Sequence, residues 1–534
     1  MYLRVSNMPV VSCARPPLRI LPMTVIASVS ASILPDHTGL ASAVRHDADT
    51  TLPASIQPSV VVNLSAASTS ASAQTYSAQG TLAGGGQLVW RNNVQDPISV
   101  MMAHQFRANT LSERFSGLGA ALLDNFNKGS SNYSQSVQVQ GASGPSTAPA
   151  NMHGDVSLRI KTRSGALVTL SITSLANGMD IKVQSDSTLT DEERGAIANL
   201  ADGFQSALDG LTQVPPKLNL TGLAGFDTRQ LSSVDLQSSL NNGAVVPSSA
   251  DVHLDKQNSA VKVSLPEGKM QLSVSTGNPA IQGSAGQRAA AVANLIEQLD
   301  NAARRGHGNP TLVSMFKDAF TTFNGKAGTL DSAVMNLPLN DREHAMLTGL
   351  ADYSGSITDT PTHPNPLRPG EVDKFEWTAS QSTTFKGSTA DDHTITQTQK
   401  MHLTAAYHRP LKPGQPLQLS TDPDSQNYYY DVVNDDAQSR ADVAMQNGLL
   451  TNATLTQSAD QNLHEIKVVK NKITDDHTVP GHQARTLDLL NLLNQVPLDG
   501  TPDQSRNLGD TDPNLIKVHN LVLLTSVLSS NDAS

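Results

Sequence analysis

The sequence predicts an α+β fold: repeated antiparallel β-meanders, each followed by helix, with a β-rich C-terminal part and a disordered N-terminus. Three observations predict it. Apolar and polar residues alternate strictly over many short runs, as in strands with one buried face. Longer runs between them carry apolar residues at helical spacing. The 534-residue chain is also poor in aromatic (4%) and charged (16%) residues. That mix suits β-rich or loosely ordered chains better than compact catalytic ones.

The first meander begins at Asp155. Val156, Leu158 and Ile160 alternate with polar residues, Arg163-Ser164-Gly165 turns the chain, and Val168, Leu170 and Ile172 alternate next. Asn177-Gly178 marks a hairpin because both residues tolerate positive φ. Met179, Ile181 and Val183 then form a third strand. A helix follows. Thr190 caps it, Glu193 three residues on completes a capping box, and Ile197, Leu200, Phe204, Leu208 and Leu211 form one apolar stripe.

The plan recurs further on. Val252 and Leu254, then Val261, Val263 and Leu265, then Met270, Leu272 and Val274 alternate. A helix with Val292, Leu295, Ile296 and Leu299 on one face follows, and "NPTLVSMFKDAFTTFNGKAG" adds another. The offsets from Val156 to Val252 and from Ile197 to Val292 are nearly equal, which points to a duplicated unit.

After Asp373 the chain changes character. Two long strands rich in Thr and Gln are followed by a shorter one around "SQNYYYDVVND". "LLTNATLTQSADQNLHEIKVVKNKI" reads as a hairpin about Ser458-Ala459-Asp460, and two helices close the chain, the first over "ARTLDLLNLLNQV". The predicted division is a disordered leader over 1–75, a helical segment with a linker over 76–150, meander-helix units over 151–247 and 248–358, a proline-rich linker over 359–372, and a β-rich domain with C-terminal helices over 373–534.

The stretch from "DVSLRIKTRSGALVTLSI" through "TLTDEERGAIANLADGF", within residues 155–226, resembles a sheet-plus-helix module of uncharacterised proteobacterial proteins. The resemblance implies a bacterial origin and a shared structural module. Some of those proteins carry dehydrogenase names. A Rossmann-type dehydrogenase needs Gly-x-Gly-x-x-Gly between a strand and a helix. The nearest stretch, "GTLAGGGQLVW", has the wrong spacing and no surrounding βαβ pattern. No cofactor is therefore expected.

Other chemistries are also missing. Formal net charge is −11, with no basic stripe of the kind nucleic-acid binding requires. The single cysteine, Cys13, rules out an intrachain disulfide or a Cys-based zinc site. No apolar run is long enough for a spanning helix. "NGKAG" is not a Walker A loop, and no Gly-x-Ser-x-Gly elbow occurs. Ser314-x-x-Lys317 matches the Ser-x-x-Lys spacing but lacks its downstream partner motifs.

Asp-Asp-His-Thr occurs twice, at Asp391–Thr394 and at Asp475–Thr478. The first copy reads as a turn between two strands, where Asp bonds turn backbone. The second is denser: Asp475, Asp476, His477 and His482 lie within eight residues around Pro480-Gly481. Such a loop could chelate Zn or Mn and support a metal-dependent hydrolase. His402 and His408 share one face of a strand, and His393 would join them only in a favourable register. Tyr428-Tyr429-Tyr430 reads as strand, with at least one face core.

At the N-terminus, Arg4, Arg15 and Arg19 precede an apolar and then small-residue run, and Val29-Ser30-Ala31 has the pattern of a signal-peptidase site. This reading predicts a mature start at Ser32 and a secreted or cell-surface protein. A start at Met23 predicts a cytoplasmic one. The favoured reading is a bacterial, non-enzymatic interaction or structural protein, exported or surface-associated, with another protein as the expected kind of partner. The alternatives are the hydrolase just described and a secreted effector.

Overall fold

The computed structural model describes residues 87–92, 94–129, 132–140, 152–243, 246–325, 339–387, 389–496 and 508–526. The expectations for Cys13, Met23, Val29-Ser30-Ala31 and the glycines from Gly80 to Gly86 lie outside the described residues.

Among the described residues, fifteen strands form one antiparallel sheet. In chain order they are β1 (Gln87–Trp90), β2 (Tyr133–Gln140), β3 (Met152–Thr162), β4 (Leu167–Leu175), β5 (Gly178–Ser185), β6 (Leu231–Asn242), β7 (Ser248–Asp255) and β8 (Asn258–Leu265). They continue as β9 (Gly268–Ser275), β10 (Asp352–Asp359), β11 (Lys374–Gly387), β12 (His393–Pro410), β13 (Asn427–Gln446), β14 (Leu449–Val469) and β15 (Lys472–Asp488). The spatial order is β1-β2-β5-β4-β3-β6-β7-β8-β9-β10-β11-β12-β13-β14-β15. From β6 onward, each strand lies beside its neighbour in sequence.

The helices near the start of the sheet are α1 (Pro97–Gln105), α2 (Leu111–Phe115), α3 (Leu118–Asp124), α4 (Asp191–Ala198), α5 (Ala201–Thr212) and α6 (Thr221–Ala224). Those further along are α7 (Ala285–Gly306), α8 (Pro310–Gly325), α9 (Asp341–Ala345), α10 (Leu490–Asn494), α11 (Leu508–Thr511) and α12 (Pro513–Val522). The α+β expectation therefore holds in its antiparallel character, and the whole is mostly sheet. The meanders β3–β5 and β7–β9 are consecutive stretches of one sheet, joined by β6, which pairs with both β3 and β7. The sheet also runs on from β10 to β11, whose residues 353–358 pair with 376–381.

Strand alternation, carried from strand to strand by the register, divides the sheet into two faces, and the register shifts only near strand ends, at Lys161/Thr162, Ala444/Met445 and Lys467/Val468. One lateral row reads Val183, Leu170, Leu158, Leu236, Val252, Val261, Leu272, Gly355, Ala379, Met401, Ala437 and Ala459. All twelve are buried. The main core packs this face against the helices, with Phe204 and Leu208 of α5, Leu295 and Leu299 of α7, and Phe316 and Phe320 of α8. The next row reads Lys182, Ser171, Ser157, Gln237, Asp251, Lys262, Gln271, Ser356, Thr378, His402, Asp436, Asp460 and His482. Every member is polar, and this row faces away from the helices.

Close approaches fix the helix layer. Gly203 of α5 meets Gly222 of α6 so tightly that a Cβ on Gly203 would lie 2.5 Å from the Gly222 backbone. Arg305 of α7 holds Asp435 of β13 through its Nε, at 2.5 Å from Oδ2. The Thr190 capping box expected from sequence is present. The predicted single helix after it is two, α4 and α5, separated at Asn199-Leu200.

Other expectations are corrected. The helical segment expected within 76–150 is a set of short helices, α1 to α3, flanked by β1 and β2. The predicted hairpin about Ser458-Ala459-Asp460 does not form, because β14 runs straight through it. Ala459 lies between Ala437 and Gln483 on neighbouring strands, so pairing on both sides overrides local turn propensity. The true turn is Lys470-Asn471, both at positive φ (48° and 60°), the geometry of a two-residue hairpin loop. The strand holding the three tyrosines is 20 residues long rather than short. Residues 484–488, expected to begin a helix, end β15.

Trp377 of β11 is fully buried and meets Phe316 of α8 edge-on, with ring centroids 5.1 Å apart. Trp377→Ala should destabilise the fold by about 3–5 kcal/mol. Urea unfolding would measure this as a lower midpoint.

Candidate functional site

The polar face carries a depression of about 450 Å³ over β11–β14. Its lining includes Thr378, Ser380, Lys400, His402, Asp436, Gln438, Ser458 and Asp460. The register places His402, Asp436, Asp460 and His482 side by side on four adjacent strands. His402 Nδ1 is 2.9 Å from Asp436 Oδ1, and its Nε2 is 2.9 Å from Thr404 Oγ1. His482 Nδ1 bonds Asp460. Two carboxylates directly across a strand pair repel, and here each is bonded by the histidine on its outer side. The row offers imidazole, carboxylate, hydroxyl and amide groups together, all reachable from solvent.

Histidine–aspartate contacts recur on the same face. His253 lies between Asp235 at 2.5 Å and Asp255 at 3.1 Å. Burial opposes its charge, but the two carboxylates prevail and hold its pKa above the usual range. His153 meets Asp155 at 2.5 Å, and His464 meets Asp476 at 2.7 Å.

The second Asp-Asp-His copy is not a loop. Residues 475–482 lie inside β15, and Pro480-Gly481 does not bend the chain away from β14, because Asn462 and Gln461 stay paired with them. Strand alternation sends Asp475 and His477 to one face, 3.5 Å apart, and Asp476 and His482 to the other. Asp476 bonds His464, and His482 bonds Asp460. The structure therefore does not bring the four residues together. Among the described residues, no group of three or more His, Cys, Asp or Glu is placed to hold a metal ion. The first copy is a turn, as its sequence indicates, and it also pins the neighbouring β13–β14 turn. Asp391 O accepts from Gly448 N, and Asp392 Oδ1 accepts from Asn447 N.

His393 lies on the helix side, buried, with Nε2 2.5 Å from Glu343 Oε1. Burial raises the pKa of Glu343. Its neighbour His344 is pushed down by burial to about 4. Ser314 is exposed, and Lys317 pairs with Asp300 at 2.6 Å.

His408 shares the polar face with His402 but sits where that face is covered. Its side chain is wholly buried. Nδ1 is 2.6 Å from Asp373 Oδ1, and Nε2 is 3.0 Å from Glu371 Oε2. Its ring packs on Tyr428 and Tyr430, 4.9 and 4.8 Å away. Tyr428 donates to Glu371 at 2.6 Å and accepts from Asn365 at 2.8 Å, and Arg368 reaches Glu371 at 3.3 Å. The proline-rich stretch before β11 is thus a strap fastened across one end of the sheet. Burial opposes the charge of His408, but its two carboxylate bonds prevail and raise its pKa. Burial likewise opposes ionisation of Glu371, but bonds from His408 and Tyr428 prevail and lower its pKa.

Comparison with protein-family models, with curated proteins and with solved structures finds no match to this chain. The site must be read from its own chemistry. Sequence reading missed Asp436, Asp460, Glu371, Asp373 and Glu343, because each meets its histidine only through strand register, strap docking or, for Glu343, the packing of α9 on β12.

The strap's electrostatics give a two-sided pH dependence. His408, with its raised pKa, contributes stability in full below its unfolded value of 6.5, and that contribution is lost as pH rises through the folded value. Glu371, with its lowered pKa, contributes above its unfolded value of 4.5, and loses that contribution as pH falls through the folded value. His408→Gln should flatten the alkaline limb of the stability curve, and Glu371→Gln the acidic limb. Each should cost about 1–3 kcal/mol near neutrality, read by urea unfolding across pH.

Proposed function

We propose that this chain is a non-enzymatic binding protein, bacterial and exported or surface-associated, that uses the polar face of its sheet to hold a hydroxyl-rich ligand such as a glycan. The observation that carries the reading is the all-polar row from Lys182 to His482, left uncovered by the helices. It carries both signs of charge, with Asp251 beside Lys262 and Asp436 beside Asp460, so the face favours neither a polyanion nor apolar surface. A depression of about 450 Å³ falls in the size range of small-ligand sites. Paired carboxylates and amides suit hydroxyl groups as bidentate hydrogen-bonding partners.

The non-enzymatic part of the reading is supported by how the histidines are used. His408 and His393 are buried against carboxylates, and those on the open face are held by aspartates. The resemblance to proteobacterial segments and the signal-like N-terminal sequence support the bacterial and exported parts.

Purified protein titrated with a panel of soluble bacterial and plant polysaccharides should bind at least one of them by calorimetry. Asp436→Ala with Asp460→Ala should abolish that binding and leave the fold intact by circular dichroism. No binding across the panel, or binding indifferent to the double variant, would remove the reading. Separately, cell fractionation with N-terminal peptide mapping should find the mature protein outside the cytoplasm beginning at Ser32. A cytoplasmic protein beginning at Met23 would refute the exported part.

A further inference from the structure

β15 ends the sheet, and among the described residues no strand pairs with its outer edge. It is 17 residues long. From Lys472 to Ala484 every residue is exposed, so this stretch of the strand buries no side chain on either face. The ladder to β14 and exposed side-chain bonds such as Asp476 with His464 and His482 with Asp460 hold it there, without side-chain burial to add to them. An unpaired edge of this length is also a ready template for another strand.

We propose that β15 pairs antiparallel with β15 of a second copy of this chain, about a twofold axis at Pro480, joining two sheets edge to edge. The strand is self-complementary in that register. About the axis Lys472 faces Asp488, Ile473 faces Leu487, Thr474 faces Thr486 and Asp475 faces Arg485. The symmetry makes each of these contacts twice. Opposite charges directly across an antiparallel pair attract, and like charges repel. Moving the axis to Gly481 would set His477 against Arg485. Moving it to Val479 would leave Lys472, Asp475 and Arg485 facing uncharged residues.

Pro480 has no N–H to give to a ladder. With both prolines on the axis, the new ladder is interrupted at one place; any other register interrupts it at two. Edge charges and proline commonly protect sheets from indiscriminate pairing. On β15 they favour the register about Pro480 over those about Val479 and Gly481. This association uses the strand edge and does not depend on what the polar face binds.

The test is sedimentation velocity and native mass spectrometry of the full chain over a concentration series. A reversible dimer is expected. Arg485→Asp, which turns two attractions into two repulsions, should raise the dimer Kd by roughly tenfold or more. Asp475→Arg combined with Arg485→Asp should restore it. Amide exchange along β15 should slow on dimerisation. A monomer at every concentration would overturn the proposal, as would a dimer that Arg485→Asp leaves unchanged. Failure of the double exchange to restore association would overturn the register about Pro480.

Discussion

The whole structure depends on one constraint: a continuous antiparallel sheet sends alternate residues to opposite faces, and its register carries that choice from strand to strand. Once Val156, Leu158 and Ile160 turn inward, their partners Ile172, Leu170 and Val168 must do so too. The rule passes through β6 and onward to Ala459 on β14. A slip of one residue anywhere would place serines and aspartates under the helices. The helices answer this by covering one face only, and the low aromatic content suffices because small residues such as Ala379, Ala437 and Gly355 let the layer approach closely.

The constraint also explains the fate of the histidines. A buried imidazole needs both nitrogens satisfied. His408 meets that need with two carboxylates from the strap, and His393 with Glu343 and the Thr389 carbonyl. These arrangements resemble catalytic dyads in composition, yet they serve as fasteners: one ties the proline-rich segment to the sheet, the other ties α9 to β12. On the open face the same residue types stand in water, where His402 and Asp436 stay exposed while bonded to each other. Burial, rather than residue identity, separates the two uses.

The covered face does not extend to the end of the sheet. Beyond β14, among the described residues, only the end of β15 finds a core, where Leu487 packs on the second cluster, and Lys472 to Ala484 are exposed on both sides. Where the sheet outruns its helix layer, the ladder and exposed side-chain bonds hold the strand.

Much of this was legible in the sequence. Strict alternation marked β3–β5 and β7–β9, Asn177-Gly178 marked a hairpin, and Thr190 with Glu193 marked a helix start, because each depends on residues close in the chain. The turn at Asp391-Asp392 was legible for the same reason. Periodicity also indicated that the strands were antiparallel and half-buried. It did not say that they form one sheet, since nothing local distinguishes two meanders in separate units from two in register with β6 between them. Ser458-Ala459-Asp460 and the Asp475–His482 stretch looked like turns because turn residues dominate them locally, and pairing along β14 overruled that preference. The meeting of His402 with Asp436, of Asp460 with His482, and of His408 with Glu371 was decided only by tertiary structure, because register and strap docking join residues that no sequence spacing connects.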